Sequence, residues 1–228
     1  MLAEDEEIGS GQGRTATPAD VAEQIKSGIV SGRFAPGQRL IESDLTGDLK
    51  VGRSKIREAF RILAGEGLIE IVANRGALVR RHSREDLLSM GRAREVLEGL
   101  AARMAAETPL SDDQRGRLRD LQARMDAAEE ANEIRTYDTL NQAYHRAIVE
   151  FAGNPYVAEL IEKVRVPLLG LRLPNGFSAA TLEQSNEGHR FITHAILAGA
   201  PEAAEAAMRA HVRSGNATTA SLPDEVFR

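Results

Sequence analysis

Apolar residues recur three and four positions apart along most of this chain, and only one short stretch breaks into strand-like runs. Val21, Ile25, Ile29 and Val30 form the first helical stripe. Thr17-Pro18 opens that helix well, since threonine caps and proline tolerates the first turn. Gly32 should end it, and Pro36-Gly37 marks a turn. Leu40, Ile41 and Leu45 begin a second, short helix that Ser43 is placed to cap. After the tight connection Val51-Gly52, a third helix from about Arg53 to Ala64 turns Ile56, Phe60 and Leu63 inward. Leu68 to Val72 and Ala77 to Arg80 are strand candidates. They are joined by Ala73-Asn74-Arg75-Gly76, whose Asn and Gly suit left-handed turn conformations.

Two short helices followed by a hairpin form the layout of a winged helix-turn-helix, which lays its second helix in the major groove of DNA. Arg53, Ser54, Lys55 and Arg57 crowd the start of that helix, away from its apolar stripe. A basic first turn opposes the helix dipole, so it needs a use. Arginine can read a guanine edge or clamp a phosphate, and Arg75 at the wing tip can reach the minor groove or a phosphate. Residue by residue, a solvated charged face explains these cations equally well; as a set they point to DNA.

From residue 82 the helical period continues without a strand. Ser83 caps a long helix to about Glu107, with Leu87, Leu88, Val96, Leu97, Leu100, Ala101 and Met104 on its apolar side. Ser111 caps a second to about Glu130. A third spans about 132–151 and a fourth about 156–171, where Pro167 should kink or fray it. A loop at 173–177 precedes a fifth helix at about 178–198, and a sixth runs from Pro201 to about Ser214. The fold class is therefore mainly α, an N-terminal winged helix-turn-helix plus a C-terminal bundle of about six helices. The expected divisions are a disordered tail at 1–16, a DNA-binding domain at 17–81, an effector-binding and dimerisation domain at 82–215, and a flexible tail at 216–228.

The chain has 228 residues, enough for two domains of ordinary size. Its net charge of -5 hides an asymmetry: 17–81 carry 11 Lys and Arg against 8 Asp and Glu, while 82–228 carry 17 against 22. Phosphate affinity follows local charge, so the imbalance weakly favours DNA contact by the first domain. With no cysteine, disulfide and thiol chemistry are excluded. The acidic, then Gly-rich start lacks the basic-then-apolar order of a secretory signal, and no run reaches the ~20 apolar residues of a membrane span. A cytoplasmic protein is expected.

His145, His189 and His211 fall on the third, fifth and sixth helices of the second domain, and Asn141 precedes His145 by one turn. Imidazoles from separate helices can converge on a transition metal, or they can be hydrogen-bonded histidines of a polar core. Spacing leaves both open. Arg94, one turn before Glu98, is either a surface ion pair worth a few tenths of a kcal/mol or a clamp for the carboxylate of an organic acid. His82 and His194 have no site argument.

The order of elements resembles a known family. Ile29-Val30-Ser31-Gly32-Arg33, Pro36-Gly37, Arg53, Ile56-Arg57-Glu58-Ala59, Glu66-Gly67-Leu68 and Asn74-Arg75-Gly76 are similar to the GntR family of bacterial transcriptional regulators. Arg94, Leu97-Glu98, Ala101-Ala102, Tyr144-His145-Arg146-Ala147-Ile148, Gly153-Asn154-Pro155, His189-Arg190 and Met208 to His211 resemble the FCD effector domain of its FadR subfamily. The resemblance implies a homodimer on a palindromic operator, often a repressor of catabolic or transport genes, modulated by a small carboxylate effector. It also implies a metal held by an Asp and three His; of the divalent ions, zinc and nickel suit imidazole ligands. The histidines match His145, His189 and His211; the Asp position holds Asn141, a departure that leaves the site one charge less negative. Arg94 falls where the family places an effector-contacting arginine. The reading helix departs too, with Gly52-Arg53-Ser54-Lys55 where Ser-Arg-Thr-Pro is common, which should alter the operator sequence. No enzyme is expected, since a metal-dependent hydrolase would want a paired base such as HExxH. The other alternative is a constitutive DNA binder with no effector.

Overall fold

The computed structural model describes residues 16–72, 75–169, 179–221 and Asp224, with the backbone alone over 166–169. Residues 1–15 of the expected N-terminal tail, Ala73 and Asn74 of the wing, the side chain of Pro167, the loop at 173–177 and residues 222, 223 and 225–228 of the final segment lie outside them.

In the first domain α1 (Pro18–Val30) opens with a reciprocal cap: the Thr17 hydroxyl accepts from the Asp20 N–H, and the Asp20 carboxylate accepts from the Thr17 N–H. Caps of this kind are worth about 1 kcal/mol. Next come β1 (Arg39–Leu40), α2 (Glu42–Leu49), α3 (Arg53–Gly65), β2 (Ile69–Val72) and β3 (Gly76–Val79). Val21, Ile25 and Ile29 of α1 bury against Leu45 of α2 and Ile56, Phe60 and Leu63 of α3. The sheet order is β1-β3-β2, all antiparallel, with Leu40 opposite Ala77 and Ile69 opposite Val79. The third strand, β1, was not expected, because two residues are too few to show a period. It explains Gly76, whose φ is +86° and whose missing Cβ would lie 2.3 Å from the Leu40 carbonyl oxygen. Only glycine allows that approach at that φ. Ser43 does not cap α2: Ile41 holds the N-cap position without a side-chain bond, and Ser43 donates to Asp44 inside the helix.

The second domain contains α4 (Arg84–Glu107), α5 (Asp112–Glu130), α6 (Ile134–Phe151), α7 (Pro155–Leu169), α8 (Ala179–Leu197) and α9 (Pro201–Ala220). Ser83 and Ser111 cap α4 and α5 in reciprocal boxes, as their sequences imply. Leu118, Met125, Tyr137, Tyr144, Ile148, Ile192 and Met208 form the main core, and a smaller cluster of Ala101, Val157 and Ile161 joins α4 to α7. Two expectations fail. Val96 and Leu100 face solvent at 53% and 38% exposure rather than the bundle interior. Helix α9 continues to Ala220, well beyond Ser214. The two domains meet at Lys26 of α1, whose ammonium lies 3.3 Å from Glu66 beyond α3 and 2.9 Å from Glu162 of α7.

Candidate functional site

Helices α6, α8 and α9 each bring one histidine to the same point in the bundle. One potential ligand nitrogen from each of His145, His189 and His211 lies within 4.8 Å of the others. His145 and His189 are buried, and their Nε2 atoms face each other at 3.3 Å. The outer nitrogens are held from behind. Tyr137 donates its hydroxyl to Ser185 Oγ at 3.1 Å, so its oxygen is left to accept from His189 Nδ1 at 3.0 Å. That tautomer leaves the His189 Nε2 lone pair aimed inward. Tyr144 donates to the His189 carbonyl oxygen at 3.1 Å and fixes the backbone. His145 Nδ1 sits 2.6 Å from Glu98 Oε2; the contact is close but bent, and neither atom completes a hydrogen bond of ordinary geometry. His211 completes the cluster from α9, its ring centroid 4.2 Å from that of His189. Gly188 makes room for it, since a Cβ there would lie 2.8 Å from His211 Nδ1.

Burial lowers the pKa of all three imidazoles; for His189 and His211 the neighbouring rings add to it, and for His145 the Glu98 carboxylate only partly opposes it. His211 is pushed down to about 3. All three are therefore neutral at pH 7, the form that coordinates metals. In the metal-free protein the unfolded chain, with histidines titrating near 6.5, binds more protons than the folded chain below that pH. Stability is thus complete above pH 6.5 and should fall as pH drops through the window below it, by up to about 1.4 kcal/mol per pH unit for each imidazole. A thermal midpoint clearly lower at pH 5 than at pH 7.5 is expected; equal midpoints would contradict the burial.

Asn141 stands one turn before His145 on α6. Its Oδ1 is buried and has no hydrogen-bond partner among the described residues. An orphaned buried oxygen carries a desolvation penalty of about 1–3 kcal/mol.

Arg94 does pair with Glu98, Nε to Oε1 at 2.6 Å, but not at the surface: Glu98 is 1% exposed. Burial alone would raise the Glu98 carboxyl, yet Arg94, His145 and Arg165 outweigh it and hold the group well below the ordinary range. One buried carboxylate thus holds Arg94 by a hydrogen bond and lies against His145. Arg165 escaped sequence reading. Its signal was an arginine set in the apolar run Val164-Arg165-Val166. It is 5% exposed, and its guanidinium donates to the Gln142 carbonyl oxygen at 3.1 Å.

The site opens into a cavity of about 730 Å³ whose lining includes Arg94, Asn141, His145, Arg165 and His211. Val30, from α1 of the first domain, lies on its edge. On the other side of His189, Gln122, Asp126, Glu129, Asn186 and Arg190 form a closed hydrogen-bonded network that locks α5 to α8.

In the first domain Arg53, Ser54, Arg57 and Arg75 are exposed and Lys55 is half-buried. Arg53 and Lys55 make no ion pair among the described residues, whereas the Arg57 Nε donates to both oxygens of Glu42 at 3.0 Å. The wing tip is braced by Arg39, which donates to the Arg75 carbonyl oxygen at 2.8 Å.

Residues 17–79 match the family model of bacterial regulatory proteins, gntR family, and residues 89–214 match the FCD domain. A protein of Paenarthrobacter nicotinovorans named probable D-xylose utilization operon transcriptional repressor is 30% identical over 201 residues, 87% of each chain. The HTH-type transcriptional repressor GlaR of Escherichia coli is 28% identical over 87% of this chain and 93% of its own. The fold is that of E. coli McbR/YncC, with a TM-score of 0.78 at 22% identity over 90% of this chain and 97% of that one. Among the described residues no helix is long and apolar enough to cross a membrane. The chain belongs to the gntR family of bacterial regulatory proteins: it is a DNA-binding transcriptional regulator with an FCD domain, and not an enzyme.

Proposed function

We propose that the helical domain holds a divalent transition metal through His145, His189, His211 and Asn141, and that a small carboxylate effector bound beside it sets the affinity of the first domain for DNA. The observation that carries this reading is the orphaned Asn141 Oδ1 next to three neutral, converging imidazoles at the wall of an open cavity. The donor set suits zinc or nickel, which favour imidazole. A bound ion would supply Lewis acidity toward the oxygens of an acid. Arg94 uses only its Nε on Glu98 among the described residues, which leaves its terminal nitrogens for the effector's oxygens. A constitutive DNA binder would fill this space with apolar side chains. Here the cavity is open and Arg94 borders it, which favours the effector reading.

On the DNA side, Arg53, Ser54, Lys55, Arg57 and Arg75 form the proposed contact set, with α3 in the major groove and the wing beside it. Two chains on a palindromic operator need a dimer. A second copy of this chain is supported by the apolar residues left exposed on the neighbouring helices α4 and α7: Val96, Leu100, Tyr156 and Leu160. Helix α4 carries Arg94 and Glu98 and follows β3 after only a short link, so a shift of the site has a direct route to the wing. The regulated genes are proposed to be catabolic or transport genes under repression, as the names of the relatives suggest.

The test is Asn141→Asp. Restoring a formal charge to the ligand set should tighten zinc by about 10- to 100-fold, on the order of the coulombic gain of one partly screened charge, and should weaken binding of acids. Zinc competition against a chromophoric chelator reads the first effect. Unchanged zinc affinity would remove Asn141 from the ligand set.

A further inference from the structure

The charges around the cavity match in number but not all in contact, and one residue is left without an ion pair. Glu98 is the carboxylate behind the site: Oε1 takes Arg94, Oε2 lies 2.6 Å from His145 Nδ1, and its charge is felt by Arg165 without an ion-pair contact. Glu162, one turn before Arg165 on α7, is engaged by Lys26. Asp138 accepts from Gln142 one turn on; burial raises the pKa of its carboxyl, the charge of Arg165 pulls it back, and the two make no ion-pair contact. The remaining charges on the lining, Arg135 and Glu187, are exposed at the rim. Arg165 therefore makes no ion pair among the described residues, although it is 5% exposed and borders the cavity. A buried guanidinium with a neutral carbonyl as its hydrogen-bonded partner is incomplete, since its fork matches two oxygens of an acid group.

We infer that Arg165 is a second anion-binding residue of this site, and that the effector is an organic acid carrying at least two anionic groups. One group sits at the histidine cluster with Arg94; the other lies on Arg165. This inference rests on the effector reading above and narrows it from any carboxylate to a polyanion. A monocarboxylate would leave Arg165 as it is, while a dicarboxylate or tricarboxylate supplies the missing partner. By chemistry alone a carboxylate and a phosphate both suit the guanidinium fork, so both belong in the test.

The experiment is thermal denaturation of the zinc-loaded full chain with a panel matched for size and ionic strength: butyrate, succinate, tricarballylate and phosphoglycolate. Affinities follow from the concentration dependence of the midpoint. The expected result is that at least one polyanion binds tenfold or more tighter than butyrate, and that Arg165→Gln brings the two within about threefold without loss of zinc. Succinate or tricarballylate ahead of phosphoglycolate assigns the second group to a carboxylate, and the reverse order to a phosphate ester. Arg165→Lys, which keeps the charge but loses the fork, should retain part of the preference and serves if the glutamine variant folds poorly. The inference is overturned if butyrate matches every polyanion, if no polyanion binds, or if Arg165→Gln leaves the preference intact. Failure of the effector reading itself looks different: no zinc is retained, and no acid of any charge alters DNA binding.

Discussion

Replacing His189 by alanine is expected to strip the metal and, with it, the response of DNA affinity to organic acids. His189 is fully buried, its Nε2 faces His145 at 3.3 Å, and its far nitrogen is fixed by Tyr137. Structural zinc in small domains is worth about 10–16 kcal/mol over four ligands, so one ligand carries roughly 3 kcal/mol, or more than 100-fold in affinity. Tyr137→Phe keeps the ligand and removes the group that orients it, and a loss of about 10- to 100-fold is the ordinary cost of such a change. The ordered series, wild type above Tyr137→Phe above His189→Ala, separates a coordination site from a packed polar core. Zinc competition and circular dichroism on the same samples check it. Equal affinities across the three folded proteins would refute coordination.

The second large effect is on the DNA face. Arg53→Ala should lower operator affinity by about 1–3 kcal/mol per half-site if the side chain reads a base, hence roughly 30- to 10⁴-fold for a dimer that uses two copies. Arg53 is exposed at the first turn of α3 and has no ion pair among the described residues, so its charge is wholly available. Arg57 should matter less, because Glu42 already holds its Nε with both carboxylate oxygens. Fluorescence anisotropy over a range of salt concentrations distinguishes the two modes of contact. A base contact relaxes sequence preference, whereas a phosphate contact weakens all sequences and flattens the salt slope. An Arg53→Ala protein that binds its operator as well as wild type would place the reading surface elsewhere.

What could be read from sequence follows from range. Caps are local, and Thr17, Ser83 and Ser111 each start the helix their positions imply. The inward face of α3 is also local, since a period of three to four residues suffices to show Ile56, Phe60 and Leu63. The histidine cluster was nameable only through resemblance, because the gaps between His145, His189 and His211 are set by how helices stack. The Arg94–Glu98 pair was read in the right geometry and the wrong medium. An i,i+4 spacing says that two side chains meet, not that α6 and α7 cover them. Arg165 and β1 were missed for opposite reasons: one is a single polar residue in an apolar run, the other a strand too short to alternate. Val96 and Leu100 show the limit of the apolar pattern itself, which marks a face to be covered without saying whether the bundle or another chain covers it.

The most direct test of the whole scheme joins the two domains in one measurement. Zinc-loaded protein is titrated onto a fluorescent operator, selected from a random duplex pool, with and without a saturating amount of whichever panel acid most raises the thermal midpoint. Coupling between distinct sites is typically about 1–3 kcal/mol, so the acid should shift operator affinity roughly 5- to 150-fold, and the same acid should do nothing to His189→Ala. Operator affinity that is identical with and without the acid, or that shifts equally in His189→Ala, would contradict it.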